Sequence, residues 1–218
     1  MKTTTHLNHL LLATFIFILG LLVARFFYTG SLHHVFLIWN IFLAWIPYVL
    51  SRFFSHYRNK QNWKQVFLFS SWLLFFPNAL YIVTDLVHLQ DNGNAPLWFD
   101  VILLFTSSFI GLIMAFISLH NVEKYLRGFY SRKAVTFIMP LILFLGSFGV
   151  YLGRFERWNS WDIIHNPLAL GNNILQSVFS PADHIRTWAV TLTLTCLFYI
   201  IYRFFRLLPL YAQKNAGQ

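Results

Sequence analysis

Apolar residues run along this chain in six long blocks, over residues 9–28, 33–51, 65–87, 98–119, 134–153 and 185–206, and the polar residues collect between them. A helix needs about 20 apolar residues, at 1.5 Å of rise each, to cross a bilayer. Each block meets that length, so the pattern predicts an all-α, polytopic membrane helix bundle of about six transmembrane helices. The first block has the outline of a signal peptide, with Lys2 ahead of an apolar run from Leu10 to Ala24. Arg25-Phe26-Phe27 follows Ala24 and no A-x-A site is present, so it reads as a retained span. No repeat, long linker or low-complexity tract divides the chain, and residues 1–218 read as one integral membrane domain. The last residues, Gln213 to Gln218, are expected to fray.

Composition supports the same class. Of 218 residues, 57% are hydrophobic and 11% charged, against about 25% charged in a soluble domain. With a mean hydropathy of +0.58, there is too little polar surface to cover a globule in water. A net charge of +9 would point to nucleic acid in a soluble protein. Here it reads as a topology signal and as contact with anionic lipid headgroups, with no nucleic-acid partner. The single cysteine, Cys196, lies inside an apolar block, which excludes an intrachain disulfide and a multi-cysteine metal site.

The basic residues orient the bundle. With the N-terminus inside, the cytoplasmic segments hold Lys2, Arg52, Arg58, Lys60, Lys64, Lys124, Arg127, Arg132, Lys133, Arg203, Arg206 and Lys214; only Arg25, Arg154, Arg157 and Arg186 lie outside. The positive-inside rule then puts both termini in the cytoplasm. The acids, which played no part in that count, fall outside at Asp85, Asp91, Asp100, Glu156, Asp162 and Asp183; Glu123 alone is inside. Trp63 sits at the inner boundary and Trp98, Trp158, Trp161 and Trp188 near the outer one, where an indole bridges lipid and water.

No Asp, Glu, Lys or Arg lies near the middle of a span. That argues against an ion-coupled transporter with a midplane carboxylate. In the third span Pro77 lacks an N–H and is expected to kink the helix by freeing the Leu73 carbonyl. Asn78, Tyr81 and Asp85 share one face, with His88 on its flank. In the fourth, Asp100, Ser107, Gly111 and Ser118 project in nearly one direction. Asn40, Asn78 and Ser107 each lie seven residues inward from an outer-end polar residue, a rise of about 10 Å. Two readings stand: an outward-opening polar pocket among spans two, three and four, or interhelical hydrogen bonds that serve packing. Gly146, Gly149 and Gly153 form a smooth face on the fifth span that lets another helix approach closely.

Residues 154–184 form the longest segment outside the spans, an extracytoplasmic loop. Arg154, Glu156, Arg157, Trp158, Asn159, Ser160, Trp161, Asp162, His165 and Asn166 crowd its start. Arginine offers planar, bidentate donors suited to phosphate or carboxylate, so an anionic headgroup is one partner for Arg154 and Arg157. Glu156, Asp162 and the acids of residues 85–100 are the other. Spacing within Leu168 to Phe179 predicts a short interfacial helix, and Ser180-Pro181-Ala182-Asp183 reads as the start of the last span. The motif D-x-x-H occurs at Asp85/His88 and Asp162/His165, placing carboxylate and imidazole on one helical face as some metal sites require. A metal-dependent enzyme would follow from it. No G-x-S-x-G, H-E-x-x-H, P-loop or dinucleotide fingerprint is present, and Ser160 has no evident base partner.

The runs Trp72 to Leu86 with Pro77-Asn78 and Thr84-Asp85, then Trp98-Phe99-Asp100, then Gly149 to Phe155 and Asn159-Ser160-Trp161-Asp162 resemble a family of bacterial integral membrane proteins known as domain of unknown function 1361. The resemblance covers most of the chain. It implies a multi-pass protein of the bacterial cytoplasmic membrane and supplies no activity, catalytic residue or cofactor.

The leading expectation is therefore a six-span protein whose outward-facing pocket binds an anionic lipid headgroup or envelope-related ligand. Asn78, Asp85 and Asp100 would line it, with Arg154, Arg157, Asn159 and Asp162 above. The alternatives are an accessory subunit that docks another membrane protein through its loop and glycine face, and a metal-dependent hydrolase or transferase on a lipid-linked substrate.

Overall fold

The computed structural model describes residues 2–57, 63–89 and 95–216. Arg58, Lys60 and Asp91 of the charge pattern lie outside the described residues. The chain is all-helical: α1 (Lys2–Thr29), α2 (Phe36–Phe53), α3 (Trp63–Tyr81), α4 (Leu97–Leu126), α5 (Arg132–Phe155), α6 (Asp162–His165), α7 (Pro167–Phe179) and α8 (Ile185–Ala216). Six of these regions are long and apolar enough to cross a membrane, the third being α3 with the 3₁₀ turn that extends it. Asn8 of α1 meets Tyr48 of α2, Ser51 of α2 meets Asn121 of α4, and Glu123 of α4 meets Arg206 of α8, so the start of α1 and the later part of α8 lie at one end of the bundle, here the terminal end. The segment between α5 and α8 lies at the other, the loop end.

Several helices outrun the apolar blocks. α4 continues to Leu126, beyond the block ending at 119, because its last turns are held by polar contacts at the terminal end. There the buried Glu123 accepts from Arg127 Nη2 (2.6 Å), from Arg206 Nη1 (2.5 Å) and from the Tyr202 hydroxyl, tying α4 to α8. α8 runs through Ala216, so most of the stretch expected to fray is helical. The start of α8 differs as well. Residues 180–183 form a turn that closes α7, with Ser180 N–H donating to Gln176 O (2.9 Å) and Asp183 N–H to Ser180 O (3.2 Å), and the last helix begins only at Ile185. Gly30, at φ +67°, ends α1 in the left-handed region that glycine enters without strain.

α3 and α4 make the centre. α2 packs on both, α5 covers the far side of α3 and carries α8, and α1 rests chiefly on α4. Trp72 is fully buried at the middle of this packing. Its ring stacks on Phe76 at 4.7 Å between centroids, and its indole N–H donates to Ser118 Oγ (3.3 Å). In an interior that water does not enter, such a donor must find a partner within the protein. Ser107 likewise donates to Leu103 O (2.8 Å). The polar face of the fourth span thus serves packing.

The third span is not one α-helix. α3 passes Pro77 and ends at Tyr81, and the chain continues as a 3₁₀ turn, Ile82–His88. The tighter winding changes which carbonyls are satisfied along the axis, and side chains from other helices take up two of them. Ser108 of α4 donates to Ile82 O (3.0 Å), and Arg154 of α5 donates to Thr84 O (2.9 Å). Such backbone is tolerated at this depth because it is enclosed by protein.

The glycine face of α5 is used within the chain, against α3. A methyl group on Gly149 would lie 2.6 Å from Pro77 Cγ, and one on Gly146 3.0 Å from Phe76 and Leu80. Gly149→Ala is therefore expected to cost about 1–3 kcal/mol, the usual penalty of overpacking. Gly171→Ala, with open space around it, is the control. Denaturant titration of both in mixed micelles checks the difference.

Candidate functional site

The 3₁₀ turn carries the buried acid of the loop end. Asp85 is 1% exposed. Its Oδ2 accepts from Asn40 Nδ2 of α2 (2.7 Å), and its Oδ1 accepts from Arg154 Nη1 of α5 (3.3 Å). Arg154 also donates to the Tyr81 hydroxyl (3.0 Å) and lies over the Tyr81 ring, 5.4 Å from its centroid. One arginine thus closes α5 onto the end of α3, and the carboxylate beneath it gathers α2 as well. The 3₁₀ winding matters here because it brings Asp85 inward, away from the exposed Leu86 and Val87.

Asp100 belongs to a separate pair. Its carboxylate accepts from Arg25 Nε (2.7 Å, to Oδ1) and from Arg25 Nη2 (3.1 Å, to Oδ2). Both side chains are nearly fully buried, at 7% and 8% exposed. This fork-to-fork geometry joins α1 to α4. Arg25 entered the sequence reading only as one charge in a count. The signal for it was present, since a cation and an acid each stand at the loop end of an apolar block and neither has a local partner in its own helix. His34 packs nearby with both ring nitrogens unpartnered, as is Arg25 Nη1.

Burial, and then the neighbouring Arg25 guanidinium, push the His34 imidazole down from 6.5 to about 4. The folded protein keeps this ring neutral where the unfolded chain would protonate it. The contribution of His34 to stability is therefore constant above pH about 6.5, falls as the pH is lowered from there to about 4, and levels off below. His34→Phe is expected to flatten that part of the profile, read from unfolding midpoints between pH 8 and 4.

The third polar group is a latch between α3 and the loop. Asn78 Nδ2 donates to Ser160 Oγ (2.9 Å) and to Phe75 O (3.2 Å), and Ser160 Oγ donates to Leu74 O (3.1 Å). Pro77 breaks the regular ladder in this turn, and the loop serine meets the carbonyl next to the one freed. Asp162 Oδ2 accepts from Asn159 N–H (2.6 Å) and so shapes the entry to α6. Arg157 is exposed, with φ +60°, and makes the left-handed turn that lets Trp158 N–H reach Leu152 O (3.1 Å). Glu156, one partner expected for the arginines, instead accepts from the Tyr151 hydroxyl (3.1 Å) and from Asn173 Nδ2 (3.4 Å).

A cavity of about 530 Å³ lies at the loop end between α2, α3, α5 and the α6–α7 segment. It sits on the α5 side of α3, not between α3 and α4. Asn40, Ser70, Asn78, Asn159 and Ser160 supply its hydrogen-bonding groups, with the Tyr81 ring and the indoles of Trp39 and Trp158. Leu73, Leu74, Phe148, Ile163, Leu170 and Ile174 make the rest apolar. Of the residues singled out from sequence, Asn78 and Asn159 line it. Asp85 and Arg154 stand behind the wall formed by Asn40 and Tyr81. Asp100, Arg157 and Asp162 do not line it, nor does Ser107. Ser160 is a lining residue that sequence reasoning passed over, because it was tested only as a nucleophile.

The two D-x-x-H pairs remain separate. Asp85 and His88 stand on the 3₁₀ turn, with both oxygens of Asp85 already bonded, and Asp162 and His165 bound the four-residue α6 with His165 exposed. Among the described residues there is no group of three or more His, Cys, Asp or Glu placed to hold a metal ion.

A family model described as "Protein of unknown function (DUF1361)" matches residues 39–201, from the first turn of α2 to the middle of α8, and takes in the whole cavity lining. No curated protein and no solved structure matches the chain. The match covers well over half of the sequence, and the chain belongs to this family of unknown function.

Proposed function

We propose that this chain binds the polar head of an amphipathic membrane ligand in the loop-end cavity, with the ligand's apolar part against Leu73, Phe148 and Ile174. The lining carries this reading: three amides, two serines, a tyrosine ring and two indoles around about 530 Å³, above aliphatic walls. Ligand sites are typically apolar cavities of this size range with a few convergent polar groups. Of the two arginines expected to attract an anion, Arg154 pairs with Asp85 and Arg157 is exposed outside the lining. The cavity therefore favours a head rich in hydroxyl or amide groups, such as that of phosphatidylglycerol, a glycolipid or another lipid-linked envelope component, over recognition by charge alone. The same reading sets the cavity on the outer face of a bacterial cytoplasmic membrane with both termini in the cytoplasm; it rests on the basic-residue count and on the family resemblance.

Native mass spectrometry of the purified protein tests the proposal. A phosphatidylglycerol or glucosyl-diacylglycerol is expected to bind in preference to phosphatidylcholine. Ser70→Phe, which fills the cavity from an exposed lining position, is expected to remove that preference without loss of folding. An unchanged preference in Ser70→Phe would overturn the assignment.

A further inference from the structure

A second lipid-shaped space runs along α2 beside α1, from Val35 to Arg52 at the terminal end. α1 rests on α4 and leaves a gap beside α2. The gap is a groove of about 860 Å³, walled by Leu11, Leu12 and Phe15 of α1 and by Ile38, Phe42 and Trp45 of α2, with Ile110 and Met114 of α4 as its floor. At the terminal end Trp45, Val49 and Arg52 also line a neighbouring cavity of about 740 Å³. That cavity is the more polar of the two. It contains Ser51, Asn121 and Tyr125, and Asn121 Nδ2 donates to Ser51 Oγ (3.0 Å). Its charged residues are Arg52 and Lys124, both exposed, and the residues lining the two spaces include no acid.

We infer that an anionic phospholipid of the terminal-end leaflet binds here, with its phosphate between Arg52 and Lys124 and one acyl chain in the groove between α1 and α2. Length agrees. From Arg52 back to Ile38, α2 rises about 21 Å, more than the half-thickness of about 15 Å that an acyl chain of one leaflet must cover. Charge agrees as well, since two cations with no acid among the lining residues select anionic over zwitterionic heads at a membrane surface. The aromatic strip Trp39–Phe42–Trp45 along the groove, with ring centroids 5.4 and 6.5 Å apart, gives a chain a rigid wall to lie against. Between α4 and α8, Glu123 offsets one of the charges of Arg127, Arg203 and Arg206, and the space there is only about 210 Å³, too small for an acyl chain and head, which leaves that corner the weaker choice.

The test is native mass spectrometry of the full chain, in the Ser70→Phe background so that the loop-end cavity does not contribute. Dioleoyl-phosphatidylglycerol, dioleoyl-phosphatidylcholine, dihexanoyl-phosphatidylglycerol and inorganic phosphate are the probes. The dioleoyl anionic lipid is expected to bind more tightly than its zwitterionic counterpart, and each of Arg52→Gln and Lys124→Gln is expected to weaken it about five-fold. Both side chains are exposed, so neither change opens a buried hole. Arg203→Gln, an exposed cation at the same end outside this lining, leaves binding unchanged. The short-chain lipid and free phosphate bind at least about ten-fold more weakly, because the groove contributes the chain's hydrophobic contact. Equal binding of the two dioleoyl lipids, or an unchanged preference in the Arg52→Gln/Lys124→Gln double variant, would overturn the site. Phosphate competing as well as the full lipid would overturn the role of the groove.

Discussion

Asp100→Ala is expected to destabilise the protein by about 3–5 kcal/mol, the largest single-site effect away from the aromatic core. The carboxylate is held by two charge-assisted bonds from Arg25, and both groups are shut away from water. Removing the acid leaves a guanidinium in a low-dielectric interior, and Arg25 Nη1 already lacks a partner there. Arg25→Ala should cost a similar amount for the converse reason. The double replacement Arg25→Leu/Asp100→Leu is expected to recover most of the loss, because desolvating two charges offsets much of what their attraction contributes. SDS titration of the four proteins checks this. A double variant whose loss equals the sum of the two single losses would mean that the pair is not formed.

Asp85→Ala is expected to cost about 3 kcal/mol and to disturb the cavity as well. Two elements converge on that carboxylate, α2 through Asn40 and α5 through Arg154. Without it, Asn40 loses its acceptor and turns its amide toward the cavity it lines. Arg154 keeps the Tyr81 hydroxyl and Thr84 O, so the loss is smaller than at Asp100. Asp85→Asn retains an acceptor without the charge and should fall between alanine and wild type. Because Asn40 and Arg154 share one acceptor, Asn40→Ala and Arg154→Leu are expected to be non-additive by at least 0.5 kcal/mol or so. A strictly additive cycle would separate the two contacts. Lipid binding by Asp85→Asn, measured beside its stability, tells a positioning role from a purely structural one.

Much of the architecture was open to reading because bilayer length and apolar blocks constrain each other: each of the six blocks coincides with one long helical region. What could not be read was pairing across the bundle. Arg25 and Asp100 are 75 residues apart; each stands out as a charge without a partner in its own helix, but nothing local says which distant charge answers it. The change from α-helix to 3₁₀ after Tyr81 was hidden for a related reason. Its carbonyls are satisfied by Ser108 and Arg154, which belong to other helices. Asn40, Asn78 and Asp85 stood out as polar groups in apolar surroundings, but periodicity does not say which neighbour a helix face meets. α4, the expected wall of the pocket, turned its serines to packing, while α5 and the loop closed the cavity instead. Ser180 and Pro181 carry a sound helix-start pattern, yet the chain spends them on the turn after α7.

A structure of the protein in lipid nanodiscs containing phosphatidylglycerol tests the central claim most directly. The account predicts a lipid head within hydrogen-bonding reach of Asn40, Asn78 and Asn159, with Asp85 and Arg154 still paired behind them. A cavity closed by inward movement of α7, or a lipid that meets only the outer surfaces of α1 and α8, would contradict it.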